Sequence, residues 1–264
     1  MGKLQTIVIG FIVGTVISSC GNDIQEVKDP VTGKLLTRYE YYKDDSGQIV
    51  KNGDYTEWSP EGDKVAELHY KEDSLHGSCI YYMENGEMML NVYANGKLDG
   101  EQIRKTKAGK LIYRENYENG LLNGSQEYYN NNGSMVRSGS YAKGRQAGQW
   151  QYNDDKGNKT FALDFKNGVC QQLVGKWSVE GDSATTFTFK TDGTFLFMAP
   201  YFTRSIKSAV QGEGSVEIDS FLVLRDAERV RVWEYELFSV EPDELILINH
   251  NAQVQESILT LKRN

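Results

Sequence analysis

The chain has 264 residues and a formal charge of −8, with 39% hydrophobic residues, 16 tyrosines and only four prolines. This balance argues against an intrinsically disordered chain. Mild acidity without a basic run also makes it a poor nucleic-acid binder.

Residues 1–19 read as a secretory signal. Lys3 supplies the positive n-region, the apolar run 7–17 is too short for an ordinary membrane-spanning helix, and the small residues Ser18 and Ser19 precede Cys20. The sequence Ile17-Ser18-Ser19-Cys20 resembles a bacterial lipobox. That resemblance implies cleavage before Cys20, diacylglycerol on its sulfur, and a chain anchored to a membrane of the cell envelope, the outer one in a Gram-negative cell. Each buried CH₂ of such an anchor contributes about 0.8 kcal/mol. The alternative is an ordinary signal peptide with a cysteine nearby. Residues 20–30, polar and acidic, are expected to form a flexible tether.

Residues 31–52 read as a degenerate half-repeat and N-terminal cap, in which Asp44, Asp45 and Ser46 would discourage edge-to-edge strand pairing. Residues 53–171 then repeat one pattern five times, with leading glycines Gly53, Gly77, Gly100, Gly124 and Gly148. A second glycine follows nine residues later each time, at Gly62, Gly86, Gly109, Gly133 and Gly157. A late aromatic recurs as Tyr70, Tyr93, Tyr117, Tyr141 and Phe165, followed in the last four units by Gly96, Gly120, Gly144 and Gly168. A fixed period of this length denotes a repeat architecture. Asn85-Gly86, Asn95-Gly96, Asp99-Gly100, Asn119-Gly120, Asn123-Gly124 and Asn132-Gly133 are all expected to close two-residue hairpins, because both central positions tolerate positive φ. Each unit is therefore a β-hairpin, and the units must stack to be stable.

Units such as GSQEYYNNNGSMVRSGSYAKG (124–144) resemble MORN-type repeats, specifically the bacterial MORN-variant repeats labelled as an antitoxin family. The resemblance covers residues 31–171 and implies a hairpin solenoid that serves as a scaffold.

The third unit departs from its neighbours. Where they carry Trp58, Tyr81 and Tyr82, Tyr128 and Tyr129, or Tyr152, it has Arg104 and Lys105, with Lys107, Lys110 and Arg114 nearby. These five cations are candidates for contact with lipid headgroups or an acidic partner; the alternative is a solvated strand face balanced by Glu101 and Glu115. The repeated tyrosines are candidates for stacking on sugars or for a core ladder. Cys79 and Cys170, an even pair in an exported chain, suggest a disulfide. Strand spacing instead separates them by roughly 30 Å, so two separate thiols are expected.

Residues 173–264 are a different text. Alternation at 185–189 and 233–237, the Asp192-Gly193 turn, and β-rich runs at 221–225, 230–238, 244–248 and 257–261 predict a small antiparallel barrel. Gly175-Lys176-Trp177, KTDGTF and the closing SILTLKR resemble lipocalin-like domains. This implies that Trp177 packs across the closed end near Arg263, a cation–π pair. Trp177, Phe187, Phe189, Phe195, Phe197 and Trp233 are the candidate barrel interior, either around a cavity or filling it. With no linker between the two parts, the barrel is expected to cap the last repeat.

No CxxC or HExxH spacing, Gly-x-Ser-x-Gly elbow, P-loop or complete dinucleotide fingerprint is present. The expected fold is all-β, a hairpin solenoid followed by a small barrel, with neither metal nor cofactor. The expected function is a non-catalytic, lipid-anchored envelope scaffold that binds another envelope protein. The alternatives are a small hydrophobic ligand carried in the barrel, and an antitoxin or immunity-type protein that binds a toxin.

Overall fold

The computed structural model describes residues 22–202, 207–218, 221–226, 232–249 and 257–264. Every regular element among them is a β-strand, arranged as a 15-stranded antiparallel sheet and a second antiparallel sheet of eight strands. The chain divides into two compact units, Met1–Met135 and Val136–Asn264.

In the first unit the strands Asp23–Lys28, Leu35–Lys43, Ile49–Trp58, Lys64–Lys71, Gly77–Tyr82, Met88–Ala94, Lys97–Lys105, Leu111–Glu118 and Gly124–Tyr129 neighbour one another in chain order. The expected tether is corrected here, because Asp23–Lys28 is an edge strand paired with Leu35–Lys43. Asp29 closes that hairpin, its carboxylate accepting hydrogen bonds from the backbone N–H of Val31 at 2.9 Å and of Thr32 at 2.6 Å.

The expectation of uniform two-residue turns is also corrected. Asn95-Gly96, Asn119-Gly120, Lys143-Gly144 and Asn167-Gly168 do form two-residue loops, with positive φ at both positions. At Asn85-Gly86 only the glycine has positive φ. There the Gly86 N–H donates to Met83 O at 2.8 Å and the Met83 N–H to Glu87 O at 2.9 Å, which makes a three-residue loop with a bulge. Asn132-Gly133 repeats this geometry through Asn130 and Ser134. Asp99-Gly100 and Asn123-Gly124 are not turns, since Gly100 lies inside one strand and Gly124 opens another.

The leading glycines have a different task. Gly53, Gly77, Gly100 and Gly148 stand directly opposite Tyr70, Tyr93, Tyr117 and Phe165 in register. The two landmarks recur together because they are directly paired positions on neighbouring strands.

In the second unit, all but the first residue of Met135–Ala142, then Arg145–Asn153, Lys159–Lys166 and Val169–Cys170, precede the eight-stranded sheet. Trp150 is fully buried among Tyr141 and Phe165, with ring centroids 5.3 and 6.4 Å away. The eight strands are Gly175–Val179, Asp182–Phe189, Thr194–Phe202, Lys207–Ile218, Phe221–Asp226, Val232–Val240, Glu244–Asn249 and Ser257–Arg263. Each pairs with the next, and the first also pairs with the last, Trp177 opposite Arg263, so the sheet closes on itself. Phe187, Phe189, Phe195, Leu222, Leu237, Leu245, Leu247 and Leu261 are buried.

Candidate functional site

The five cations of the third unit do not share one surface. Successive residues of a strand face opposite sides, and Arg104 pairs opposite Tyr113 while Ile103 pairs opposite Arg114. Arg104 therefore lies on one face, and Lys105 and Arg114 lie on the other. Arg104 is held by Glu87, Nε to Oε2 at 2.7 Å. Arg114 meets Glu101 at 3.0 Å and Glu127 at 3.2 Å. Glu115 accepts instead from the hydroxyls of Tyr117 and Tyr128, at 2.9 and 2.7 Å. Lys107 lies across the Gly86 turn, where a built Cβ would meet its Cδ at 2.7 Å. The Lys110 ammonium donates to Asn132 O at 3.3 Å, much as Lys34 donates to Pro60 O at 3.0 Å. The turn lysines thus bind one hairpin to the next.

In the barrel, Phe187 and Phe197 lie 4.9 Å apart by ring centroid, Phe187 and Phe189 6.2 Å, and Phe189 and Phe195 6.4 Å. The cavity bounded by Phe187, Phe195, Phe197 and Tyr235 has about 40 Å³, which is water-sized beside the roughly 300–1,000 Å³ of ligand pockets. Trp177 is fully buried, and the Arg263 guanidinium carbon stands 4.2 Å from its ring centroid. Arg263 also donates to Pro242 O at 2.6 Å, Val174 O at 2.8 Å and Gln172 O at 2.6 Å, while the Trp177 indole donates to Leu173 O at 2.7 Å. One side chain therefore locks the barrel's last strand to the segment that leaves the last repeat. The side chain of Trp233 and all of Cys20 lie outside the described residues.

Cys79 and Cys170 are separate buried thiols. Burial pushes the pKa of both thiols up, that of Cys170 to about 11.

Sequence reasoning missed a cluster near the N-terminus. The Lys51 ammonium sits over three tyrosine rings, 5.0 Å from the centroid of Tyr70, 5.1 Å from Tyr55 and 5.9 Å from Tyr39. Tyr39 and Tyr55 are stacked at 6.1 Å, and Tyr55 meets Tyr70 edge-on at 5.6 Å. All four residues are half-buried, so the box is open to solvent. The signal was present in the repeat register. Two residues before the leading glycine the later units carry Leu75, Leu98, Leu122 and Gln146, whereas here stands Lys51.

No family model matches the chain, and no curated protein matches it. Among solved structures, a porin-like protein from Bacteroides uniformis ATCC 8492 aligns at 8% identity over 75% of this chain and 92% of that one, with a TM-score of 0.18. A likeness at that score carries no argument.

Proposed function

We propose that the chain is a lipid-anchored envelope protein whose MORN-like repeat solenoid and lipocalin-like barrel form a non-catalytic scaffold for another envelope protein. The observation that carries this reading is the separation of constant from varied positions in the repeats. The leading glycine, the turn glycine and the late aromatic are constant, and they build the sheet. The fourth and fifth residues after each leading glycine vary, as Glu57 and Trp58, Tyr81 and Tyr82, Arg104 and Lys105, Tyr128 and Tyr129, and Tyr152 and Asn153. All of these except the buried Tyr152 are half-buried, so the frame offers solvent a chemistry that changes along the units, with only the second and fourth alike in Tyr-Tyr. Constant framework with varied surface is the pattern of a repeat protein that recognises a partner.

Two measurements test the reading. Labelled fatty acid should enter the chain and be lost in Cys20→Ser; retained label in that variant counts against the anchor. A photo-crosslinking residue placed in turn at Tyr82, Lys105 and Tyr129 should give one partner adduct of defined mass in the native envelope. Adducts absent at all three positions would overturn the scaffold.

A further inference from the structure

We propose that Tyr39, Tyr55 and Tyr70 form a binding box for a quaternary ammonium group, occupied in the free protein by the chain's own Lys51. The argument begins with the repeats as internal controls. At the place of Lys51 the next three units put Leu75, Leu98 and Leu122, and each of these leucines pairs directly opposite its late tyrosine. Lys51 likewise pairs opposite Tyr41. Leucine therefore suffices to pack this position. At the place of Tyr55, two residues after the leading glycine, the next three units carry Cys79, Gln102 and Gln126. At the place of Tyr39, two residues before the late aromatic, the later strands carry Leu68, Asn91 and Glu115. The departures at Tyr39, Lys51 and Tyr55 converge on one spot, beside the constant Tyr70.

Their chemistry is that of cation recognition. Ring faces attract a cation through their quadrupole, and boxes of aromatic faces are how proteins hold ammonium groups. At 5.0 to 5.9 Å the Lys51 nitrogen stands further from the centroids than a bare ammonium resting on a ring requires. N-methyl groups would fill that distance and shed less hydration on entry. Lys51 is then an internal competitor, tethered at an effective concentration on the order of millimolar or more, that weakens binding of an outside ligand without abolishing it.

The test titrates the full mature chain with tetramethylammonium chloride against potassium chloride of equal ionic strength, following tyrosine ring resonances. Lys51→Ala should bind saturably and at least tenfold more tightly than the native chain. Lys51→Leu, which restores the filling of the later units, and Tyr55→Gln, which installs their residue, should both fold and lose binding. The neutral isostere 3,3-dimethylbutan-1-ol should not bind. Choline and phosphatidylcholine vesicles run in parallel distinguish a free amine from a lipid headgroup, and saturable binding of either supports the box. A folded Lys51→Ala chain without saturable binding would overturn the proposal. So would equal binding of the neutral isostere, or a native chain that shows no response at any concentration, which would leave Lys51 as a packing staple.

Discussion

Gly100 stands at φ +122°, and a Cβ built there would meet Val92 Cβ and Cγ1 at 3.0 Å. Gly100 lies in a bulge of its own strand, where residues 99–101, between Leu98 and Gln102, face the single Val92 between Tyr93 and Asn91. Gly100→Ala therefore combines backbone strain with a clash and should cost about 1 to 3 kcal/mol in denaturant unfolding. Adding Val92→Ala should recover only the part due to the clash. At Cys170 burial raises the thiol from 9.0 to about 11. The unfolded chain therefore ionises first. The stability attached to this thiol is complete below about pH 9, where neither state is ionised, and is lost as pH rises through the folded value near 11. Unfolding midpoints measured from pH 8 to pH 11 should fall more steeply for the native chain than for Cys170→Ala, by roughly 2 to 3 kcal/mol across the range at most. Parallel slopes would show that the burial of Cys170 does not matter to folding.

At the scale of elements the hairpin turns decide the register. In four of the two-residue loops the second residue donates its N–H to the preceding unit, Asp73 to Lys51 O at 2.9 Å, Gly96 to Leu75 O at 2.8 Å, Gly120 to Leu98 O at 2.7 Å and Gly168 to Gln146 O at 2.9 Å. The first of these turns has no glycine, and Glu72 and Asp73 adopt φ of +50° and +59° without it. Glu72→Asn, which tolerates that region, should stabilise the protein by about 0.5 kcal/mol, read as a higher melting temperature. Asp73 should be left alone, because its carboxylate accepts the Lys51 N–H at 2.8 Å. The turns also show how far the sequence could be read. The period and the presence of hairpins were legible, since positive φ selects glycine wherever it occurs. The task of each glycine was not, because Asn-Gly serves a two-residue loop and a three-residue bulged loop equally well, and Asp-Gly and Asn-Gly can also enter a strand. The five cations of the third unit were grouped by closeness in sequence, when strand alternation alone would have divided Arg104 from Lys105. The Lys51 box was missed because its residues are spread over the expected half-repeat and the first full unit.

At the scale of the molecule, the compact division falls between Met135 and Val136, so the strands from Arg145–Asn153 to Val169–Cys170 belong with the barrel. Arg263 gives that grouping a physical basis, because its guanidinium is shared among Gln172 O, Val174 O and Pro242 O while it lies on Trp177. Lysine in its place keeps the charge but cannot present three donors in a fixed fork. Gly175 adds a geometric constraint, since a Cβ there would meet Arg263 Nη1 at 2.7 Å, so the guanidinium and the glycine were fitted together. Arg263→Lys should therefore destabilise the second unit by about 2 kcal/mol. In hydrogen exchange on the full chain, amides of Gly175–Val179 should lose protection together with those of Lys159–Lys166, because the clamp ties the barrel to the segment leaving the repeat. Protection in Gly77–Tyr82 and Met88–Ala94 should not change. If only barrel amides respond, the clamp serves the barrel end alone, and the last repeat strands hold through their own pairing of Trp150 opposite Leu163 and Gly148 opposite Phe165.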